Sequence, residues 1–302
     1  MTLVAVIADA SAARLSQPGL RPCLESDDVH VWCAHIPSVF PLAGYLEDVL
    51  SDEERKRLRT IWFERDRHQF VVGRAALRNI LSRYLDVDAK HIALEYERHG
   101  KPVLSALCNP IGVHFSVSHS VDWVVCAVAR GRAVGVDIEY QRSGVNYVEI
   151  AERVFSAAER RSFQRVPARA REEVFFNVWT LKEAYVKAIG QGLFYPFSEI
   201  DVTLRPAESP RLLRALSEPY PARWSLQTLY VAKRYTGALA VAGPVRELAL
   251  WEWNGGGEVW TAAKKNSVPK FGTLSRLSRR LAGRNQRIYD ERLVGKTLGY
   301  RR

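Results

Sequence analysis

The stretch GVDIEY, residues 135–140, sets two carboxylates two positions apart. Alternate side chains of an extended chain share a face, so Asp137 and Glu139 point one way and Val136 and Ile138 the other. The acids then lie about 7 Å apart and repel unless water covers them or a cation sits between them. Magnesium is such a cation, completing its shell with water and phosphate oxygens; a solvated polar strand face is the alternative. Farther on, WTLKEAYVK, residues 179–187, has apolar residues at helical spacing and puts Glu183 and Lys187 one turn apart. Alone, this is a surface pair contributing about 0.3–0.5 kcal/mol. With the acids of the strand it could supply a third metal ligand or general base in Glu183, and a phosphate contact in Lys187. Lys182 has no assigned role, and Trp179 and Tyr185 serve packing.

Other polar groups suit anion binding rather than covalent catalysis. Ser118 and His119 are neighbours in FSVSHS, residues 115–120. Adjacent strand residues point apart, so they form no dyad; they suit phosphate or base contact, or turn capping. Arg67, Arg74 and Lys101 could surround an anion, since guanidinium groups grip phosphate bidentately. Each singly also reads as a solvated surface charge.

These groups need elements to hold them. Strand-like alternation appears at 29–36, in VHFSVSHS, at 123–129 and at 133–140, with Arg130-Gly131-Arg132 as a hairpin signal between the last two. Residues 51–85 give two helices, the first with Ser51 as N-cap and Asp52, Glu53 and Glu54 in its first turn. Helices at 147–165 and 171–189 precede strands near 199–204, 224–231, 237–243 and 247–253. Both halves run from helix to several antiparallel strands. The expected fold class is α+β, built of two similar halves. The boundaries are an N-terminal extension at 1–28, halves at 29–135 and 136–254, and a basic extension at 255–302.

Composition narrows the classes. The chain has 302 residues, 47% hydrophobic, enough for a sizeable core. No apolar run reaches the ~20 residues of a membrane helix, and Asp9 interrupts the only apolar stretch near the N-terminus, against a secretory signal. Cys23, Cys33, Cys108 and Cys126 form no CxxC pair or zinc spacing, which points to a reducing, cytoplasmic setting. Residues 263–302 hold twelve Lys or Arg and two acids, +10 of the net +11. That tail could meet an acidic protein, an anionic membrane or nucleic acid, or be solvated.

The order of these pieces resembles a known family. GKP at 100–102, FSVSHS at 115–120, GVDIE at 135–139 and WTLKEAYVK at 179–187 look like the signature series of Sfp-type 4′-phosphopantetheinyl transferases, over about residues 29–254. The resemblance implies two α+β halves in pseudo-twofold relation, with coenzyme A in the cleft between them. It implies transfer of the phosphopantetheine arm to a serine of an apo acyl or peptidyl carrier protein, by a cytoplasmic monomer that uses no nucleic acid. Asp137, Glu139 and Glu183 would hold magnesium, and Glu183 would be the base. Lys187, Ser118, His119 and Lys101 would contact coenzyme A, with His119 near the 3′-phosphate; Arg67 and Arg74 are further candidate contacts. Glu54 departs from the family pattern, having the place of a Lys in some members. Asp137 and Glu183 are expected at a solvated cleft. Two rivals stay open: a magnesium-dependent phosphodiester hydrolase or nuclease, and a non-enzymatic binding protein acting through its basic tail.

Overall fold

The structure, a computed structural model, describes residues 6–7, 22–142, 144–192, 195–204, 208–216 and 218–255. The expectations for the basic tail and for most of the first 28 residues lie outside these. The strands are β1 (Val6–Ile7), β2 (Asp28–His35), β3 (Leu94–Tyr96), β4 (Pro102–Leu104), β5 (Val113–Ser120), β6 (Trp123–Arg130), β7 (Val134–Tyr140), β8 (Asp201–Val202), β9 (Leu212–Arg214), β10 (Trp224–Tyr230), β11 (Tyr235–Ala242) and β12 (Glu247–Glu252). The helices are α1 (Ile36–Val39), α2 (Ala43–Glu47), α3 (Asp52–Arg59), α4 (Glu64–Leu85), α5 (Tyr147–Val154), α6 (Ala157–Gln164) and α7 (Ala168–Ala188).

Two four-stranded sheets, β12-β2-β6-β5 and β1-β10-β11-β7, carry the fold. Val31, Val125, Val136, Ile138 and Leu239 are among the side chains that join their inner faces in one apolar core. The outer face of the first sheet packs on α4, and that of the second on α7, each in its own core. The fold is therefore α+β, in layers of helix, sheet, sheet and helix, with two similar halves. Order β2-β6-β5 in one half answers β7-β11-β10 in the other, and the small ribbons β3-β4 and β8-β9 match as well.

The halves also share an anchor. Ser51 caps α3 and Ser156 caps α6, each in a reciprocal capping box with the Glu three residues on. Those glutamates are buried and face a cation of the long helix. Glu54 Oε2 accepts from Arg78 Nε at 2.6 Å, and Arg78 also donates to the carbonyls of Ala89 and Ile92. Glu159 Oε2 accepts from Lys182 Nζ at 2.5 Å, and Lys182 donates to the carbonyls of Val154 and Phe197. Removing one partner of such a pair strands a buried charge, at about 3–5 kcal/mol. Lys182 thus receives a structural role, and Glu54 departs from the family pattern for an architectural reason.

Three expectations change. Arg130-Gly131-Arg132 does not close a hairpin: β6 has both edges taken by β2 and β5, so β7 crosses to the other sheet and pairs with β11. The helix expected at 147–165 breaks at Phe155–Ser156, where Ser156 turns extended to cap α6. The last strand is parallel rather than antiparallel, and it returns to the first sheet beside β2. Among the described residues no helix is long and apolar enough to cross a membrane.

Candidate active site

The site forms where edge strand β5 meets edge strand β7. An unpaired edge exposes backbone donors that need partners. Here they find side chains: the hydroxyls of Ser116, Ser118 and Ser120 accept from the backbone N–H of Val136, Ile138 and Tyr140 at 3.1, 3.4 and 3.0 Å. Both strands repeat every two residues, so three alternate serines match three alternate N–H groups. The remaining hydroxyl capacity turns to the acids. Ser118 Oγ donates to Asp137 Oδ1 at 2.9 Å, and Ser120 Oγ to Glu139 Oε2 at 3.1 Å.

Helix α7 brings the other charges over this seam, and Gly135 permits its approach. A methyl group at Gly135 would stand 2.0 Å from the Ala184 carbonyl oxygen and 2.4 Å from the Ala188 nitrogen. With helix backbone against strand backbone, Lys187 Nζ reaches Asp137 Oδ1 at 2.6 Å and Ser118 Oγ at 2.8 Å. Burial disfavours the Lys187 ammonium, but Asp137, Glu183 and Glu139 outweigh it and hold its pKa above the usual lysine value. All three acids singled out from the sequence therefore act on one amine. Asp137 and Glu183 are buried, at 3% and 7% exposure, rather than set in a solvated cleft. Asp137 Oδ2 is buried with no hydrogen-bond partner.

Two family models match the chain. One described as 4′-phosphopantetheinyl transferase superfamily matches residues 133–240, and one described as 4′-phosphopantetheinyl transferase, N-terminal, matches residues 43–130. The chain is 36% identical over 233 residues to the 4′-phosphopantetheinyl transferase HetI of a Nostoc species, covering 76% of this chain and 94% of that one. The chain belongs to the 4′-phosphopantetheinyl transferase superfamily. It is also 30% identical over 155 residues to the transferase Sfp of Bacillus subtilis, covering 51% of this chain and 66% of the other, and 35% identical over 159 residues to the transferase psf-1 of Bacillus pumilus, covering 53% and 66%.

The remaining candidates of this transferase fall in different places. His119 is exposed while Ser118 is buried, as the alternation of β5 requires. Arg67 Nη1 donates to the Leu58 carbonyl at 3.3 Å. Arg74 lies 3.8 Å from Glu54, with its guanidinium over the rings of Phe70 and Tyr96. Lys101 Nζ donates to the Ala188 carbonyl at 3.0 Å. Trp179 and Tyr185 pack in the core, as expected. Sequence reasoning passed over Ser116, Ser120 and the close approach at Gly135. The two-residue period of the serines, answering that of GVDIE, was the available signal for the first two.

Among the described residues no three Asp, Glu, His or Cys side chains are gathered into a metal-binding group; Asp137 pairs with Lys187, and Glu183 and Glu139 act on the same amine through their charge. Their chemistry nonetheless suits a hard cation. All three are carboxylates, and the unpartnered Asp137 Oδ2 has the acceptor capacity that such an ion uses.

Proposed function

We propose that the protein transfers the 4′-phosphopantetheine arm of coenzyme A to a serine of an apo acyl or peptidyl carrier protein, with Asp137, Glu139 and Glu183 holding magnesium. The observation that carries this reading is the convergence of those acids on Lys187 at the β5–β7 seam, in a chain of this family. In the reaction the carrier serine oxygen bonds to the β-phosphorus of coenzyme A. The bond from that phosphorus to the bridging oxygen breaks, and adenosine 3′,5′-bisphosphate leaves with the electron pair. Glu183 takes the serine proton. Lys187 stays cationic and donates to the pyrophosphate, where charge builds during the transfer. Magnesium, when bound, would neutralise pyrophosphate charge.

Ser118 orients Asp137 and Lys187 through its two short contacts. The exposed His119, with Arg67 and Arg74, is assigned to the nucleotide and its 3′-phosphate. The buried free thiols Cys33 and Cys126 agree with a reducing cytoplasm, and we assign a monomer. The test is to mix the protein with coenzyme A, magnesium and a panel of apo carrier proteins and to weigh the carriers. Each accepted carrier gains the mass of one phosphopantetheine. No gain on any carrier would overturn the reading.

A further inference from the structure

We infer that Gln69 is a positioning residue: it holds Val121 in a strained conformation and so fixes the β5–β6 turn, which presents His119 and Ser120 to the site. What the turn serves rests on the reaction proposed above. Strands β5 and β6 pair through Ser120 and Trp123, so the turn between them has two central residues, Val121 and Asp122. Val121 stands at φ +52°, in the left-handed region, and Asp122 does not enter it. A positive φ at the first central residue alone is the mark of the II′ hairpin turn, where glycine is usual. A β-branched side chain there crowds the backbone, so the conformation persists only where its surroundings impose it.

Three elements impose it. Gln69 Nε2, from α4, donates to the Val121 carbonyl at 2.8 Å. The Asp122 N–H donates to the hydroxyl of Tyr235, in the other half, at 3.2 Å, and the Ile36 N–H donates to the Asp122 carbonyl at 2.8 Å. The Val121 side chain meanwhile packs on the core between the sheets, a contact that glycine would forgo. Gln69 is the clamp that acts on the strained residue itself. From this turn Ser120 Oγ donates to Glu139 and accepts from the Tyr140 N–H, and the exposed His119 stands beside it. A turn relaxed to negative φ would re-aim both side chains, because each lies within two residues of the changed dihedral. Gln69 thus acts on the chemistry through the turn, and strain of this kind recurs at active sites.

The experiment crosses Gln69→Leu with Val121→Gly in the full chain. It reads carrier-loading kinetics and hydrogen exchange of the amides at 119–123. Gln69→Leu should lower kcat/KM for coenzyme A about tenfold or more, because misplaced site groups are costly, and should quicken exchange over the turn several-fold. Val121→Gly alone should load within about threefold of the wild type, since glycine adopts positive φ at no steric cost. In that background Gln69→Leu should change loading and exchange by no more than about twofold, because no strain is left for the clamp to hold. A Gln69 that touched coenzyme A directly would cost the same in both backgrounds, so equal losses would overturn the inference, as would wild-type loading and exchange in Gln69→Leu. If the wild type loads no carrier, the proposed reaction fails, while exchange at 119–123 across the four proteins still decides whether Gln69 holds the turn.

Discussion

The two halves share a frame but differ where it matters. In the antiparallel pairing of β2 with β6 Trp123 lies opposite His35, and in that of β7 with β11 Tyr235 lies opposite Tyr140. Counting back from those pairs, Asp137 answers Trp32, Glu139 answers Ala34 and Gly135 answers His30. Counting forward from the buried cations Arg78 and Lys182, Glu183 answers Asn79, Lys187 answers Arg83 and Ala188 answers Tyr84. The contacts agree with this alignment. Gly135 lies against Ala188, while at the matching place His30 Nδ1 and Tyr84 Oη are 2.7 Å apart and Trp32 Nε1 donates to the same hydroxyl at 2.8 Å. One half fills the space between helix and strand with aromatic rings. The other uses the two smallest residues, so helix and strand touch and a lysine reaches an aspartate. The same architecture thus gives a packed wall on one side and a charged site on the other.

The sharpest way to break this comparison is to replace Glu183 in one half and its counterpart Asn79 in the other. Glu183→Gln should lower carrier loading about 10²–10⁴-fold, the range for loss of a general base, whereas Asn79→Ala should leave loading within about threefold, since its amide only donates to the Ala75 carbonyl one turn back. Comparable losses in both would abolish the functional asymmetry. Because Glu183 is buried, circular dichroism of each variant separates lost chemistry from lost fold.

Gly135→Ala tests the close approach itself. The added methyl meets helix backbone that cannot step aside as a flexible side chain can. Expected destabilisation is about 3 kcal/mol or more, at the upper end for overpacking, measured by urea unfolding. Unchanged stability would mean that α7 has room to retreat.

The third test uses acid. Burial lowers the His30 pKa from 6.5 to about 4, with Asp28 opposing. Below the unfolded value the unfolded chain binds a proton that the folded chain refuses, so stability falls as pH drops from about 6.5 to about 4, by about 3 kcal/mol in all. His30→Gln should flatten the unfolding profile over that window relative to wild type. Matching profiles would show that His30 is not held neutral.

Much of this was legible in the sequence because it depends on local spacing. The strand pitch of GVDIE fixed which side chains share a face, the helical pitch of WTLKEAYVK set Glu183 and Lys187 one turn apart, and Ser51 announced α3. What was not legible depends on partners far along the chain. Arg130-Gly131-Arg132 has the chemistry of a tight turn, yet strand pairing is decided by which edges are free. Ser156 and Glu159 carry a capping signature inside an apolar helical pattern, and the pattern hid it. Nothing local could tell that Asp137 would be buried, and the alternation of the serines in FSVSHS shows that they share a face but not which strand edge they meet.

The return of β12 to the first sheet has a consequence for how the chain is made. Trp251 stacks on Trp32 at 5.0 Å, and Trp253 is fully buried in the first core. That core cannot close until residue 253 has left the ribosome, by which time both halves have been synthesised. Contacts spanning more than two hundred residues are slow to form. The N-terminal half is therefore expected to stay incomplete until then, and a nascent chain halted near residue 242 should be more open to protease in its first core than the full chain.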